Sequence, residues 1–141
     1  MSDCGNNTEP AGRAAGPLPQ PLAGLRCLVL DDEFLIALDI EHILQAAGAS
    51  HVTCTGNLAD ALAALRNDAP FAVAVIDIDL GGDDSMTIAA ALQERGVPFV
   101  FLTGLGGDDP RARRHSQAPV VDKPYQAAGL LAALGRALNK R

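Results

Sequence analysis

No stretch of this sequence stays apolar for the roughly 20 residues that a bilayer-spanning helix needs, so a membrane span is excluded. Cysteine is scarce. Cys4, Cys27 and Cys54 are odd in number and show no CxxC spacing, so neither a disulfide framework nor a zinc site is indicated and a reducing cytoplasm fits best. Positive charge is in deficit, with 11 Lys and Arg against 17 Asp and Glu and a formal net charge of -6, so the chain as a whole repels nucleic acid. The basic cluster Arg111, Arg113, Arg114 and His115 has no aromatic residues interleaved for base stacking. It reads as a solvated helix or loop face, with a patch for an acidic partner as the alternative.

A chain of 141 residues with 48% hydrophobic and 20% charged residues is one soluble globular domain, long enough for a proper core. Residues 1–24 lack a charged start followed by an apolar run, so no signal peptide is expected. Their Pro, Gly and Ala content reads as a disordered tail, leaving 25–141 as the folded domain. From Arg26 onward two kinds of segment alternate. CLVL, VTCT, FAVAVI, FVFLT and PVVD read as five buried strands of a parallel sheet. Ile36, Ile40, Ile43, Leu44 and Ala47 follow a helical period that stops at Gly48. Asn57 is placed to cap a second helix carrying Leu58, Ala61, Leu62 and Leu65, Ile88, Ala91 and Leu92 mark a third ending before Gly96, and Leu130, Leu131, Leu134 and Leu138 mark the last. The glycines and proline of LGGDDPRARRHSQA leave room only for a short helix at about Pro110 to His115. Strand alternating with helix gives an α/β, doubly wound fold with right-handed crossovers.

In such sheets ligands bind beyond the carboxyl ends of the strands. There the chain places Asp31, Asp32 and Glu33 after the first strand, Asp77 at the end of the third, Thr103 at the end of the fourth and Lys123 after the fifth. Each has a bland reading as helix cap, strand residue or surface lysine, but four such coincidences at one sheet edge are hard to accept together. The set suits phosphoryl transfer. Carboxylates can hold Mg2+ or supply a nucleophile that forms an acyl phosphate, while a hydroxyl and an ammonium bind the remaining phosphoryl oxygens.

The run LVLDDE, then AVIDIDL, then FVFLTG, then VVDKPY resembles the receiver domain of two-component response regulators, in order and over Leu25 to Leu138. The resemblance implies a flavodoxin-like (βα)5 fold with strand order 2-1-3-4-5 and, here, a short or irregular fourth helix. It implies that Asp77 is the phosphoacceptor, that Asp31 and Asp32 are the acidic pair for Mg2+, that Thr103 is the switch hydroxyl, and that Lys123 is the phosphate-pairing lysine before a cis proline. Asp79 is expected to give its backbone carbonyl to Mg2+ and to tune phosphorylation and hydrolysis through its side chain. Asp83 and Asp84 are expected to begin the third helix as cap and dipole partners.

The implied protein is a cytoplasmic single-domain regulator that takes its phosphoryl group from a sensor histidine kinase or histidine phosphotransfer protein. It would signal by conformational switching, through a downstream protein target, or by phosphorelay. It is an enzyme only in the limited sense of catalysing its own phosphorylation and dephosphorylation. His42, His51 and His115 read as surface or helix-face residues, since a phosphorelay histidine belongs on a helical bundle. Position 120 departs from the family pattern, carrying Val120 where many receivers have an aromatic that couples to the threonine; Tyr125 is not in the same place. The stretch FLTG and the short GGDDS link are similar to those of a stand-alone subset, found especially in alphaproteobacteria, with a Phe-x-Thr-Gly motif and a reduced fourth helix. By that likeness the Gly-rich loop after Thr103 is the bistable element. Two rivals use the same residues. A haloacid dehalogenase-type phosphatase would also form a phosphoaspartate on Asp77, but its second acidic pair should follow the lysine rather than precede it. A receiver-like interaction module that never takes phosphate would be expected to lack one of these groups.

Overall fold

The computed structural model describes residues 20–80, 83–104, 109–115 and 117–139. Five strands alternate with five helices: β1 (Arg26–Leu30), α1 (Phe34–Ala46), β2 (His51–Thr55), α2 (Leu58–Asn67), β3 (Val73–Asp77), α3 (Asp84–Glu94), β4 (Phe99–Thr103), α4 (Pro110–Arg113), β5 (Val120–Asp122) and α5 (Ala127–Asn139). The strands form one parallel sheet in the order β2-β1-β3-β4-β5, as the resemblance implies. No described helix is long and apolar enough to cross a membrane.

Side chains of a strand alternate between faces, and here both faces are apolar. Cys27 and Val29, Val73 and Val75, Val100 and Leu102, and Val121 pack toward Ile40, Leu44, Leu130 and Leu134 of α1 and α5. Leu28 and Leu30, Ala74 and Ile76, and Phe99 and Phe101 pack the other way, toward Ala61 of α2 and Ile88 and Leu92 of α3. β3 and β4 are buried along their whole length. Two-sided burial explains why these strands read as continuous apolar runs rather than as alternating patterns.

The helix ends follow local chemistry. Asn57 Oδ1 accepts from the Asp60 amide at 2.8 Å, a side-chain cap that fixes the start of α2. Asp84 lies in the first turn of α3, where its charge suits the helix dipole. Asp83 takes the cap position without a side-chain cap bond, so the expected capping by Asp83 is not what begins that helix. α4 is a single turn, short as expected, opened by Pro110 and capped by Asp109, whose carboxylate accepts from the Arg111 amide.

The packed chain begins earlier than the sequence reading placed it. Residues 1–19 lie outside the described residues, but 20–24 form a turn in which Leu22 is fully buried in the α1/α5 core. The Leu22 amide donates to the Ala47 carbonyl and the Gly24 amide to the Gly48 carbonyl, both at 3.0 Å. Gly48 accommodates this turn twice over: its φ is +101°, and a Cβ there would meet the Ala23 Cα at 2.9 Å. A Pro- and Gly-rich stretch concealed one core residue. Leu22→Ala is therefore expected to lower the unfolding free energy by about 2–5 kcal/mol in urea titrations; a loss of only a few tenths would place Leu22 outside the core.

Candidate functional site

Three strand ends deliver the acidic groups and the lysine to one edge. β1 runs directly into Asp31, β3 terminates at Asp77, and Lys123 follows β5, joined to Pro124 by a cis peptide bond. Asp31 and Asp77 are each 2% exposed, whereas Asp32 is exposed. One carboxylate oxygen from each of Asp31, Asp32 and Asp77 lies within 4.8 Å of the others, a spacing suited to one metal ion. Lys123 Nζ stands 3.2 Å from Asp77 Oδ1 and 3.9 Å from Asp31 Oδ2.

Backbone amides hold two of these carboxylates in place. Asp31 Oδ1 accepts from the Glu33 amide at 2.8 Å, and Asp77 Oδ1 accepts from the Asp79 amide at 2.9 Å. Each acid is thus pinned by the residue two positions on. Asp31 Oδ2 is buried and accepts no hydrogen bond. A buried carboxylate oxygen in that state is costly, and it is the atom a divalent cation would satisfy. The donor set, all carboxylate oxygen beside a lysine and next to open solvent at Asp32, matches a hard ion such as Mg2+. The residues present therefore fit the metal that the sequence implied.

Burial, reinforced by the Asp77 and Asp32 carboxylates, pushes Asp31 up to about 6 against the pull of the Glu33 amide and Lys123. Burial works to lower Lys123, but the Asp77 and Asp31 carboxylates outweigh it and hold the ammonium above the usual lysine range. The cluster thus keeps its cation charged while one of its acids resists ionisation.

The side chain of Asp79 does not join the cluster. Its Oδ1 accepts from Arg111 Nη2 at 2.8 Å and its Oδ2 from the Gly104 amide at 3.2 Å. Thr103 is fully buried at the end of β4, where its hydroxyl lies 3.5 Å from Asp109 Oδ2. Neither Asp109 nor Arg111 stood out in the sequence as part of this region. Asp109 is 1% exposed and is held by Arg111 through Nε at 3.0 Å and Nη2 at 2.8 Å. The Arg111 hydrogen bonds keep the Asp109 carboxyl well below its usual range. The basic cluster read as a solvated face is therefore split, with Arg111 spent on internal pairs. His115, expected at the surface, is half-buried with its ring edge-on to Phe99 and Phe101 at 5.6 and 6.1 Å. The DP that opens α4 was the available signal, since an Asp cap before an N1 proline fixes the turn that aims Arg111 inward. Tyr125 donates to Asp39 Oδ2 at 2.7 Å and so ties the segment after β5 to α1.

A raised carboxyl pKa destabilises the ionised protein. An unfolded Asp titrates near pH 4 (roughly 3.9) and folded Asp31 at about 6, so between these values only the folded state binds the proton. The stabilisation is fully present below the unfolded value and is lost as pH rises through 6. In the absence of divalent cations, Asp31→Asn is expected to gain stability over the wild type by at most about 3 kcal/mol between roughly pH 4 and pH 7. Urea titrations of both proteins across that range check this, and a difference independent of pH would contradict it.

No protein-family model matches the chain. The sensor protein TorS of Escherichia coli K12 is 35% identical over 97 residues, which are 64% of this chain but only 10% of that protein, so the chain spans about a tenth of that relative. SdrG from Pseudomonas melonis Fr1, solved in solution in its BeF3-activated conformation, is 36% identical, with a TM-score of 0.69 over 82% of this chain and 98% of SdrG. A response regulator receiver domain protein from Clostridium thermocellum shares the fold with a TM-score of 0.67 over 82% of this chain and 95% of that one, at 24% identity. The chain belongs to the response regulator receiver domains of two-component systems.

Proposed function

We propose that the chain accepts a phosphoryl group on Asp77 from a histidine kinase or histidine phosphotransfer protein and passes the signal on by conformational switching or by relaying the phosphate. The observation that carries this reading is the buried Asp77 carboxylate, grouped with Asp31 and Asp32 within 4.8 Å and paired with Lys123 at 3.2 Å. An oxygen of Asp77 attacks phosphorus as the N–P bond of the donor phosphohistidine breaks. The imidazole keeps the electron pair, and an acyl phosphate forms. Asp31, Asp32, Asp77 and the backbone carbonyl of Asp79 would hold Mg2+, which when bound offsets the charge of the phosphoryl oxygens.

Lys123 orients the Asp77 carboxylate before attack and pairs with a phosphoryl oxygen after it. The Thr103 hydroxyl donates to another of these oxygens, so it must give up its contact with Asp109. A BeF3-activated form of SdrG is in keeping with this chemistry, since SdrG is 36% identical to the chain. The Asp79 carboxylate, two residues after Asp77, repels an incoming phosphate and biases the access of water, and so tunes both rates. The single-turn α4 and the FLTG stretch support membership of the stand-alone Phe-x-Thr-Gly subset. The expected bistable Gly-rich loop falls on residues 105–108, outside the described residues.

Incubation of the full chain with acetyl phosphate and Mg2+ is expected to add one phosphoryl group by intact mass. Asp77→Asn should abolish the adduct and Lys123→Ala should slow its formation by about tenfold or more. An adduct that persists in Asp77→Asn would refute the assignment.

A further inference from the structure

We propose that Arg111 is a positioning residue that clasps the mouth of the site in the resting protein and yields when Asp77 is phosphorylated, which makes α4 the carrier of the switch. The inference rests on Asp77 being the phosphoacceptor and adds to that reading the element that responds.

Arg111 joins two loops on either side of β4. Nη1 donates to the Ile78 carbonyl at 2.8 Å, immediately after Asp77, and Nη2 donates to Asp79 Oδ1 at 2.8 Å. Nε and Nη2 grip Asp109, at the start of α4. A planar guanidinium can meet these acceptors together because its donors form a rigid fork; a lysine ammonium on its flexible stem cannot reproduce that geometry. The two carboxylates it bridges are also the acceptors for Thr103 and Gly104. Thr103 Oγ1 lies 3.5 Å from Asp109 Oδ2, and the Gly104 amide donates to Asp79 Oδ2 at 3.2 Å.

A hydroxyl has one proton to donate. When Thr103 gives it to a phosphoryl oxygen, Asp109 loses that donor, and a dianion appears beside Asp79, whose own amide is bonded to Asp77. Asp109 is too deeply buried to remain charged without Arg111. The clasp must therefore hold or give as a unit, taking Asp109, Arg111 and the α4 turn together. Val120, a half-buried aliphatic packed in the α2/α3 core, offers no aromatic ring to do this. If the clasp resists the phosphorylated conformation, removing it lowers the barrier to reaching that state.

The test compares Arg111→Gln and Arg111→Lys with the wild type, as full chains in Mg2+. It measures the rate of adduct formation from acetyl phosphate, where the Asp77–phosphorus bond forms as acetate leaves. It also records the amide shifts of Gly104 and Ala112 with and without beryllofluoride. Both variants are expected to acquire the adduct about five- to tenfold faster than the wild type. Their Gly104 and Ala112 amides in Mg2+ alone should already lie toward the wild-type beryllofluoride positions. Asp79→Asn, which cuts one arm of the clasp, should shift the same amides in the same direction and serves if an Arg111 variant does not fold. Slower labelling in Arg111→Gln that Arg111→Lys restores would reduce Arg111 to an attractor of anions and overturn the proposal. Unchanged rates and shifts would reduce it to a structural ion pair, with the same result. A wild type that takes no adduct would overturn the phosphoacceptor reading itself, and the clasp with it, before any variant is compared.

Discussion

Crowding of negative charge at one edge of the sheet is the constraint on which the rest of the structure depends. Asp31, Asp32 and Asp77 sit within 4.8 Å of one another, two of them buried, with Lys123 as the cation that the described residues bring into ion-pair reach. Two like charges about 4 Å apart repel by roughly 4 kcal/mol at an effective dielectric of 20. One ammonium does not offset three carboxylates. The protein bears this cost because the surrounding fold over-determines the positions: β1 and β3 are paired in register and packed on both faces, and backbone amides at Glu33 and Asp79 fix the two buried carboxylates. The charge imbalance makes the edge chemically suited to a divalent cation.

A second ionic layer lies above the first. Asp79 and Asp109 are also acidic and close to the site, yet the Arg111 side chain holds them through three hydrogen bonds, and a fourth to the Ile78 carbonyl anchors the fork. The lower layer sets one ammonium against three carboxylates, and the upper one sets one guanidinium against two, each paired with it directly. Thr103 stands between them, at the end of β4 and within reach of Asp109.

Much of this was legible in the sequence because it depends on short-range rules. Apolar runs marked all five strands, Asn57 marked the start of α2, Gly48 marked the end of α1, and the acids and lysine fell at strand ends by order alone. The contents of the upper layer were not legible. Arg111 sits in a basic run, and composition cannot tell the arginine that turns inward from Arg113 and Arg114, which face solvent. Asp109 shares a Gly- and Asp-rich stretch, where the Asp-Pro pair marks a helix start but does not show that the cap is buried. Leu22 was hidden likewise, since a lone leucine between prolines and glycines shows no periodicity and its partner surface on α1 and α5 is created only by the tertiary fold. Asp83 failed in the other direction, with the right residue type at a cap position but the wrong side-chain geometry to cap.

The central claim is that the acidic edge is built to hold a divalent cation, and thermal unfolding of the metal-free chain against increasing Mg2+ tests it most directly. The melting temperature of the wild type should climb with Mg2+ concentration as binding to the folded state alone requires, whereas Asp31→Asn should start higher and climb little. A wild type whose melting temperature is indifferent to Mg2+, or an Asp31→Asn variant that responds as strongly as the wild type, would contradict the account.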